Sequence, residues 1–525
     1  MRPRGPSRTY RGLPRSLARL ALLLLLVGLL PGLPGGLEAR LQAQTTLDAP
    51  APAHPLQWTT RVDPGVATRV EAVLSRPFMD RVHWGVFLLD PSEGTVLYER
   101  NPDLPFVPAS NMKVPVTWAA LELLGPTHRF RTVLHAAAPP RDGIVQGDLV
   151  LRGNGDPSLG EPFHRSADAA LEALARRVTE AGVRRVEGAL VVDASAWDST
   201  SVPTGWLVGN LPGRPAATGG AFSVGNGVLE VEVTGGTAEG SPARVAWRPL
   251  GTSDFVENRV RTVGAGGPAE VEALYLPESR RWVLEGTLPP GARRTLIRSK
   301  RDPVRQAAHG LLRALEGEGV AVRDGVRLVW DRDASPTHAV EVARLESPPL
   351  MELIRAILEP SQNWMTEQLV RALGELHGEE GSWEEGFGVI ARQLEQELGV
   401  DSLDVHFRDG SGLAGYNLIT PRALTRILAQ ARTRPWGPEY RAAMATPGNA
   451  EGTLTNRLHD LRGQVFAKTG SITHVNTLSG YLETVDGREL IFIVLTNAGN
   501  QSASRIRAGI DDVVRAMALY LPSGR

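Results

Sequence analysis

The chain has 525 residues, of which 42% are hydrophobic and 22% are charged, and its formal net charge is −1. This length is too great for one hydrophobic core and predicts two or three domains. The near-neutral charge argues against a nucleic-acid-binding protein, and the absence of cysteine excludes disulfides, thiolate metal sites and a cysteine nucleophile. The histidines do not cluster at ligand spacing, so we expect no metal site and no other cofactor.

The first 43 residues have the order that is typical of a secretory signal peptide. Six arginines precede the apolar run 20–30, and prolines, glycines and small residues follow it. This run is short for a membrane span, although an uncleaved anchor and peripheral association with a membrane both stay open. We expect export to the periplasm or the extracellular space after cleavage near Ala43, and a proline-rich linker over residues 44–64.

A short helix and a β-hairpin are predicted after the linker. The helix should cover residues 66–75. The runs 82–89 and 95–99 are apolar and β-branched, and a turn at 91–94 joins them. This hairpin leads the chain to Ser110.

Ser110 and Lys113 form the first candidate pair for chemistry. Because Pro115 is tolerated only in the first turn of a helix, the helix should begin near Ser110 and place both side chains on one face. A serine at the positive end of a helix, beside an amine that can take its proton, is a candidate nucleophile and base for acyl transfer. Chance alone supplies this spacing for roughly one lysine in twenty, so the pair by itself is a weak signal.

The scarcity of lysine strengthens that signal. Of the 57 basic residues, only Lys113, Lys300 and Lys468 are lysines. An amine can lose its proton at accessible pH, whereas the guanidinium of arginine cannot. We therefore interpret Lys113 and Lys468 as candidates for chemistry, and Lys300, which lies in a basic cluster, as a solvated surface residue.

Residues 126–340 differ in their sequence pattern from the segment before them. They contain short strand patterns and glycine-rich turns, interrupted by helical patterns at 167–181 and 303–316. This predicts a mostly β insert of one or two lobes. The loops 153–157 and 217–227 are candidates for contact with a substrate.

Helical patterns resume after the insert, and three strand patterns follow in the last hundred residues. The helices are predicted at 349–358, 364–375, 384–398, 421–433 and 502–521, and the strands at 464–468, 477–485 and 489–496. Together with the early hairpin, these strands predict a five-stranded antiparallel sheet flanked by helices. We therefore expect an α+β fold in which one domain, 65–125 and 341–525, is split by the insert.

Two further short motifs fall in the second half of the split domain. Ser361-Gln362-Asn363 precedes a predicted helix, where such residues can serve simply as an N-cap. Lys468-Thr469-Gly470-Ser471 ends a predicted strand and could equally be a turn. The motifs nevertheless contain groups that serine acyl transfer needs besides a nucleophile, namely a proton shuttle, an oxyanion site and a grip on the substrate.

The candidate residues can be given roles on this basis. Ser110 is the nucleophile, and Lys113, kept neutral by burial and by the neighbouring cation Lys468, is the base. Ser361 can relay a proton to the leaving amine. Asn363 can hold either Lys113 or the substrate amide.

The third motif would bind the substrate. Lys468 with Thr469 could bind a terminal carboxylate, and Gly470 would let a substrate backbone lie along the strand edge. The backbone N–H groups of Ser110 and Ser471 could form the oxyanion hole.

Ser-x-x-Lys, Ser-x-Asn and Lys-Thr-Gly, in this order, are the signature of penicillin-binding proteins and serine β-lactamases. More specifically, the chain resembles the D-alanyl-D-alanine carboxypeptidases and endopeptidases of the penicillin-binding protein 4 type, the S13 peptidase group. The resemblance covers roughly residues 65–520 and also rests on the long insert and on the short segments 153–157, 409–413, 420–422 and 452–454.

This resemblance implies a transpeptidase-like or β-lactamase-like catalytic domain, a split insert and an exported location. It also implies a peptidoglycan peptide ending in D-Ala-D-Ala as the substrate, and β-lactams as covalent inhibitors. It leaves open whether the enzyme acts as a carboxypeptidase or also as an endopeptidase.

Two alternatives share the same constellation. A class A β-lactamase needs a glutamate in a Glu-x-x-Leu-Asn context, which is absent between Asn363 and Lys468, and a class C enzyme would carry tyrosine in place of Ser361. A non-catalytic cell-wall-binding protein on the same fold would be expected to lack the nucleophile or a lysine, and this chain keeps them.

Overall fold

The computed structural model describes residues 56–336 and 339–521. The signal peptide predicted from the sequence lies outside these residues, as does most of the linker. Within the described ranges, no helix is both long and apolar enough to cross a bilayer. The same ranges contain no group of three or more histidine and carboxylate side chains placed to hold a metal ion.

The elements before the insert lead to a deeply buried helix. They are β1 (Thr59–Thr60), α1 (Pro64–Leu74), β2 (His83–Asp90), β3 (Thr95–Arg100), a 3-10 turn (Ala109–Met112) and α2 (Lys113–Leu124). Pro115 lies in the first turn of α2, and the nine residues from Lys113 to Leu121 are all buried. A helix that is buried all round forms the centre of a core, so α2 fixes the position of whatever lies at its N-terminus.

The insert consists mainly of short strands. Its elements are β4 (Arg131–Ala136), β5 (Ile144–Val145), β6 (Leu149–Arg152), α3 (Ala167–Glu180), β7 (Arg185–Val186), β8 (Leu190–Asp193), β9 (Val228–Thr234), β10 (Arg244–Arg248), β11 (Val256–Asn258), β12 (Arg261–Thr262), β13 (Glu270–Leu276), β14 (Arg281–Leu288), β15 (Arg293–Ser299), α4 (Pro303–Gly317), β16 (Ala321–Val322), β17 (Val326–Val329) and β18 (Val340–Glu346).

Two hydrophobic cores divide the insert into two lobes. In the first lobe, α3 and α4 pack on a five-stranded sheet of order β17-β8-β6-β4-β18. In the second, strands β9 to β15 enclose a core that contains Trp282. Strand β18 begins at Val340, the residue at which the sequence analysis ended the insert, and it pairs with β4.

The elements after the insert complete the first domain. They are α5 (Leu350–Leu358), α6 (Asn363–His377), α7 (Trp383–Leu398), β19 (Val405–His406), β20 (Leu418–Ile419), α8 (Pro421–Thr433), α9 (Gly437–Ala442), β21 (Val465–Ile472), β22 (Val475–Glu483), β23 (Glu489–Asn497) and α10 (Ala503–Ala518).

The main sheet joins strands from both ends of the chain in the order β1-β3-β2-β23-β22-β21. Its five long strands are antiparallel, as predicted, and β1 adds a two-residue parallel edge that the sequence analysis had assigned to the linker. Two residues are too few to show a periodic pattern. Helices α1 and α10 cover one face of the sheet, and α2 with α5 to α8 covers the other.

Lys300 is not the solvated surface residue that the sequence predicted. Its side chain is fully buried, and its Nζ donates a hydrogen bond of 2.7 Å to the carbonyl oxygen of Val224. Burial lowers the pKa of Lys300 to about 7, while the carboxylate of Asp168 acts in the opposite direction. The prediction was wrong because Lys300 follows the end of β15, where its backbone N–H donates to the carbonyl oxygen of Gly227 and its Nζ to that of Val224.

Candidate active site

The N-terminal end of α2 brings a serine and a lysine together. Ser110 lies half-buried in the 3-10 turn that precedes the helix, and Lys113 is the first residue of the helix. The Nζ of Lys113 donates a hydrogen bond of 3.1 Å to the Oγ of Ser110. The turn is held tightly, because a Cβ at Gly412 would lie 1.8 Å from the carbonyl oxygen of Ala109.

Strand β21, at the edge of the main sheet, passes directly beside this turn. A Cβ at Gly470 would lie 2.1 Å from the Oγ1 of Thr477, 2.7 Å from the carbonyl oxygen of Pro108 and 3.0 Å from the backbone nitrogen of Ser110. Only glycine allows so close an approach. Ser471 is the next residue on the strand and is exposed.

Lys113 has three hydrogen-bond partners in a fully buried environment. Besides Ser110, its Nζ donates to the Oδ1 of Asn363 at 2.8 Å and to the carbonyl oxygen of Ser411 at 2.6 Å. Burial lowers the pKa of Lys113 to about 7, although the carboxylates of Asp409 and Glu367 raise it. A substantial fraction of neutral amine is therefore present at neutral pH.

Glu367 fixes the loop that supplies this carbonyl group. It is fully buried on α6, and its carboxylate accepts hydrogen bonds from the backbone N–H groups of Gly410 and Ser411 and from the indole of Trp383, at 3.0, 2.8 and 2.8 Å. Burial and the nearby carboxylate of Asp409 raise the pKa of Glu367 to about 7.

Asp409 fixes the same loop from its other side. It accepts hydrogen bonds from the backbone N–H groups of Gly412 and Ala414, from the amide of Asn417 and from the indole of Trp206, all between 2.6 and 2.7 Å. Trp206 belongs to the insert, so a residue from the insert contacts the carboxylate directly.

The sequence analysis gave no role to Glu367, Asp409 or Ser411. It used the segment 409–413 only as part of the resemblance. A signal was present in the sequence, because Glu367 lies one helical turn after Asn363 and therefore shares its helix face.

The second and third motifs meet around Lys468. Its fully buried Nζ donates to the Oγ of Ser361 and to the carbonyl oxygen of Thr469, both at 2.8 Å. Burial and the positive charge of Lys113 hold the pKa of Lys468 well below its ordinary value. The Oγ1 of Thr469 donates a hydrogen bond of 2.7 Å to the Oγ1 of Thr453.

The start of α6 shows which residue of the second motif acts as the cap. Gln362 is the N-cap, and its side chain accepts a hydrogen bond from the N–H of Met365. Ser361, with φ +66°, is therefore not used as the cap and is free to face Lys468. Asn363 donates its Nδ2 to the carbonyl oxygen of Pro215 in the insert, at 2.8 Å.

The arrangement is suited to nucleophilic chemistry. A partly neutral amine within hydrogen-bonding distance of an alcohol can remove its proton as the alcohol attacks. A second amine and a second hydroxyl, those of Lys468 and Ser361, lie in contact with each other. The eight residues predicted from the sequence therefore occupy one region around the N-terminus of α2, α6 and strand β21.

Comparison with known proteins gives the family. The sequence model of the D-Ala-D-Ala carboxypeptidase 3 (S13) family matches residues 66–517. The chain belongs to this family. It is 35% identical over 446 residues to the D-alanyl-D-alanine carboxypeptidase of Actinomadura sp. (strain R39), covering 82% of this chain and 80% of that relative. It is 26% identical over 447 residues to the carboxypeptidase DacB of Mycolicibacterium smegmatis, covering 82% and 80% of the two chains.

A solved structure gives the fold. The chain is similar to penicillin binding protein 4 (dacB) from Haemophilus influenzae, with a TM-score of 0.72 and 21% identity over 85% of this chain and 98% of that chain. The same H. influenzae protein complexed with a β-lactam matches with a TM-score of 0.66. Both the S13 resemblance and the α+β fold class predicted from the sequence are confirmed.

Proposed function

We propose that this S13 family member is a serine-type D-Ala-D-Ala carboxypeptidase that acts on peptidoglycan stem peptides through an acyl-enzyme on Ser110. The observation that carries the proposal is the 3.1 Å hydrogen bond between the Nζ of Lys113 and the Oγ of Ser110. Burial makes this amine available as a base near neutral pH, which an ordinary exposed lysine would not be.

Acylation begins when Ser110 attacks the carbonyl carbon of the penultimate D-alanine. Lys113 takes the hydroxyl proton, and the backbone N–H groups of Ser110 and Ser471 stabilise the negative charge on the carbonyl oxygen. Ser361 gives its hydroxyl proton to the leaving nitrogen as the carbon–nitrogen bond breaks, and takes a replacement from the ammonium group of Lys468, which donates a hydrogen bond to it. D-Alanine departs, and water then hydrolyses the ester of Ser110.

Lys468 and Thr469 bind the carboxylate of the departing residue. Lys468 is a buried amine whose charge is disfavoured by its surroundings, and a substrate carboxylate would restore the charged form. Gly470 allows the substrate backbone to lie along the edge of β21, as in other complexes in which a peptide adds to a sheet.

The same site accounts for inhibition by β-lactams, which would acylate Ser110 in place of the peptide. The related H. influenzae protein has been crystallised with a β-lactam. Because peptidoglycan lies outside the cytoplasmic membrane, the function also requires export, for which residues 1–43 supply the signal peptide.

The test uses purified protein without the first 43 residues. It should release D-alanine from a peptide ending in D-Ala-D-Ala, and a fluorescent penicillin should label Ser110. Labelling that persists in Ser110→Ala would overturn the assignment. Lys113→Arg keeps the charge but has no accessible neutral form, so it should abolish acylation, and full activity of this variant would remove Lys113 from the mechanism.

Endopeptidase cleavage of cross-links is a second function of the same site, because it breaks the same kind of D-alanyl amide. The observation that favours it is a cavity of about 1270 Å³ that includes Ser361 and Asn363 and leaves room beyond a single D-alanine. A digest of purified peptidoglycan analysed by mass would show whether cross-linked dimers disappear.

A further inference from the structure

Three polar side chains form a buried network beneath the 3-10 turn Ala109–Met112, which carries Ser110 and is called the serine turn below. They belong to Asn111, which follows Ser110 in the turn, and to Thr477 and Ser479 on β22. Each of the three residues is at most 1% exposed. Burial of polar groups is costly unless hydrogen bonds compensate for it, so the bonds that these side chains make decide what they do.

The hydrogen bonds of this network run in one direction. A carbonyl oxygen can only accept, so the hydroxyl of Thr477 donates to the carbonyl oxygen of Pro108, at 2.8 Å. The Oγ1 of Thr477 then accepts from the Nδ2 of Asn111 at 2.6 Å, and the Oδ1 of Asn111 accepts from the hydroxyl of Ser479. The backbone N–H of Asn111 also donates to Pro108, at 3.2 Å. The network therefore holds the chain on both sides of Ser110.

Packing of the sheet does not call for hydroxyl groups at these two positions of β22. On the neighbouring strand β23, Leu495 is paired with Thr477 and Ile493 with Ser479, and both belong to the apolar core around α2. Apolar side chains would suit such surroundings better than hydroxyl groups. The two hydroxyls stand where they meet the serine turn, which indicates that their partner is the turn.

The segment that the network holds has an unusual backbone conformation. Ala109 has φ +46°, in the left-handed region that favours glycine. A residue other than glycine keeps such a conformation only where its surroundings fix it. The peptide group after Ala109 carries the N–H of Ser110, so relaxation of Ala109 would reorient this N–H.

The network also fixes the serine turn against strand β21. Gly470 of β21 is paired with Thr477. A Cβ at Gly470 would lie 2.1 Å from the hydroxyl oxygen of Thr477 and 2.7 Å from the carbonyl oxygen of Pro108, so glycine leaves room for the bond between them. The N–H of Ser110 is thus held beside the strand that supplies the second proposed oxyanion donor, Ser471.

We propose that Asn111 and Thr477, supported by Ser479, are positioning residues that hold the N–H and the hydroxyl of Ser110 in the geometry needed for acylation. The inference rests on the proposed function. The bonds that form and break are unchanged, and the network acts through the position of Ser110. Since the oxyanion develops only as Ser110 attacks, the network should affect kcat rather than KM.

The experiment separates the hydroxyl of Thr477 from its shape. Thr477→Val keeps the shape and removes the hydroxyl, whereas Thr477→Ser keeps the hydroxyl. For a peptide ending in D-Ala-D-Ala, we expect Thr477→Val to lower kcat about tenfold or more with little change in KM, as a small misplacement of a nucleophile does. Thr477→Ser should restore most of kcat. The fraction of protein labelled after prolonged exposure to a fluorescent penicillin counts the folded sites, and kcat is expressed per folded site.

A matched control lies in α8. The hydroxyl of Thr425 is also fully buried and donates to a proline carbonyl oxygen, that of Pro421, at 2.9 Å. Thr425→Val should leave kcat as in the wild type. Should Thr477→Val not fold, Thr477→Ala and Thr477→Ser give the same test, because both lack the methyl group and they differ only in the hydroxyl.

The outcomes distinguish the inference from the proposed function. Wild-type kcat in Thr477→Val, equal kcat in Thr477→Ala and Thr477→Ser, or a loss that appears in KM alone would overturn the inference. An unmodified enzyme that neither cleaves the peptide nor is labelled by penicillin would instead overturn the proposed function.

Discussion

Acylation of Ser110 should depend steeply on pH, because the proposed base is the neutral form of Lys113. Burial lowers the pKa of this amine from 10.5 to about 7. The neutral fraction is then about one half at pH 7, about a tenth at pH 6 and about a hundredth at pH 5. The rate constant for acylation should therefore fall about fivefold between pH 7 and pH 6, about tenfold for each further unit below pH 6, and level off above about pH 8.

The assay is the second-order rate of labelling by a fluorescent penicillin between pH 5 and pH 9. The penicillin carries a fluorophore that does not titrate within this range, so the profile reports the enzyme. Lys113→Arg is the control, and its residual rate should be lower by a factor of about 10² to 10⁴, which is the usual contribution of a general base. A wild-type rate that stays constant from pH 5 to pH 8 would refute the assignment of Lys113 as the base.

Three other substitutions test the surroundings of the site. Glu367→Gln removes a carboxylate that raises the pKa of Lys113 and is itself ionised only near pH 7 and above, so the labelling rate should rise near pH 7 and change little near pH 5, and a lower rate near pH 7 would contradict this electrostatic role. Gly412→Ala would place a methyl group 1.8 Å from the carbonyl oxygen of Ala109, so penicillin labelling should be lost, and normal labelling would show that the loop can move away. The folded protein releases the proton of Lys300 near pH 7 and the unfolded chain near 10.5, so stability should rise with pH between these values. Lys300→Met should therefore raise Tm at pH 7 and flatten that rise in thermal denaturation, and a lower Tm would show that the buried hydrogen bond outweighs the cost of the charge.

Much of the split domain could be predicted because its helices and strands show clear patterns of apolar residues. In β2, Val86 and Leu88 face the core beneath α1 and α10, and Phe87 and Leu89 face the opposite core. A strand buried on both faces reads as a continuous apolar run, and the run 82–89 does so. Strand β1 has no such pattern and could not be predicted.

Two candidate residues could be found because they are lysines, a residue type that is rare in this chain. The carboxylates that fix the loop beside them could not be found in this way. Lys113 and Lys468 stood out among many arginines, but the same reasoning failed for Lys300, since burial of a lysine depends on tertiary packing that a local charge cluster does not reveal. Glu367 and Asp409 act through hydrogen bonds to backbone N–H groups that are at least three residues away or in another element. Glu367 had a sequence signal in its position one helical turn after Asn363, whereas the contacts of Asp409 leave no local pattern.

The insert contributes to the site by fixing the orientation of the side-chain amide of Asn363. The Oδ1 of Asn363 accepts from Lys113, and its Nδ2 donates to the carbonyl oxygen of Pro215 in the insert. A carbonyl oxygen can only accept, so the nitrogen must point toward Pro215, and this leaves the oxygen facing the amine. A flipped amide would place a donor against Lys113 and weaken the contact that orients the base. The insert thus fixes the orientation of an amide that contacts the proposed base.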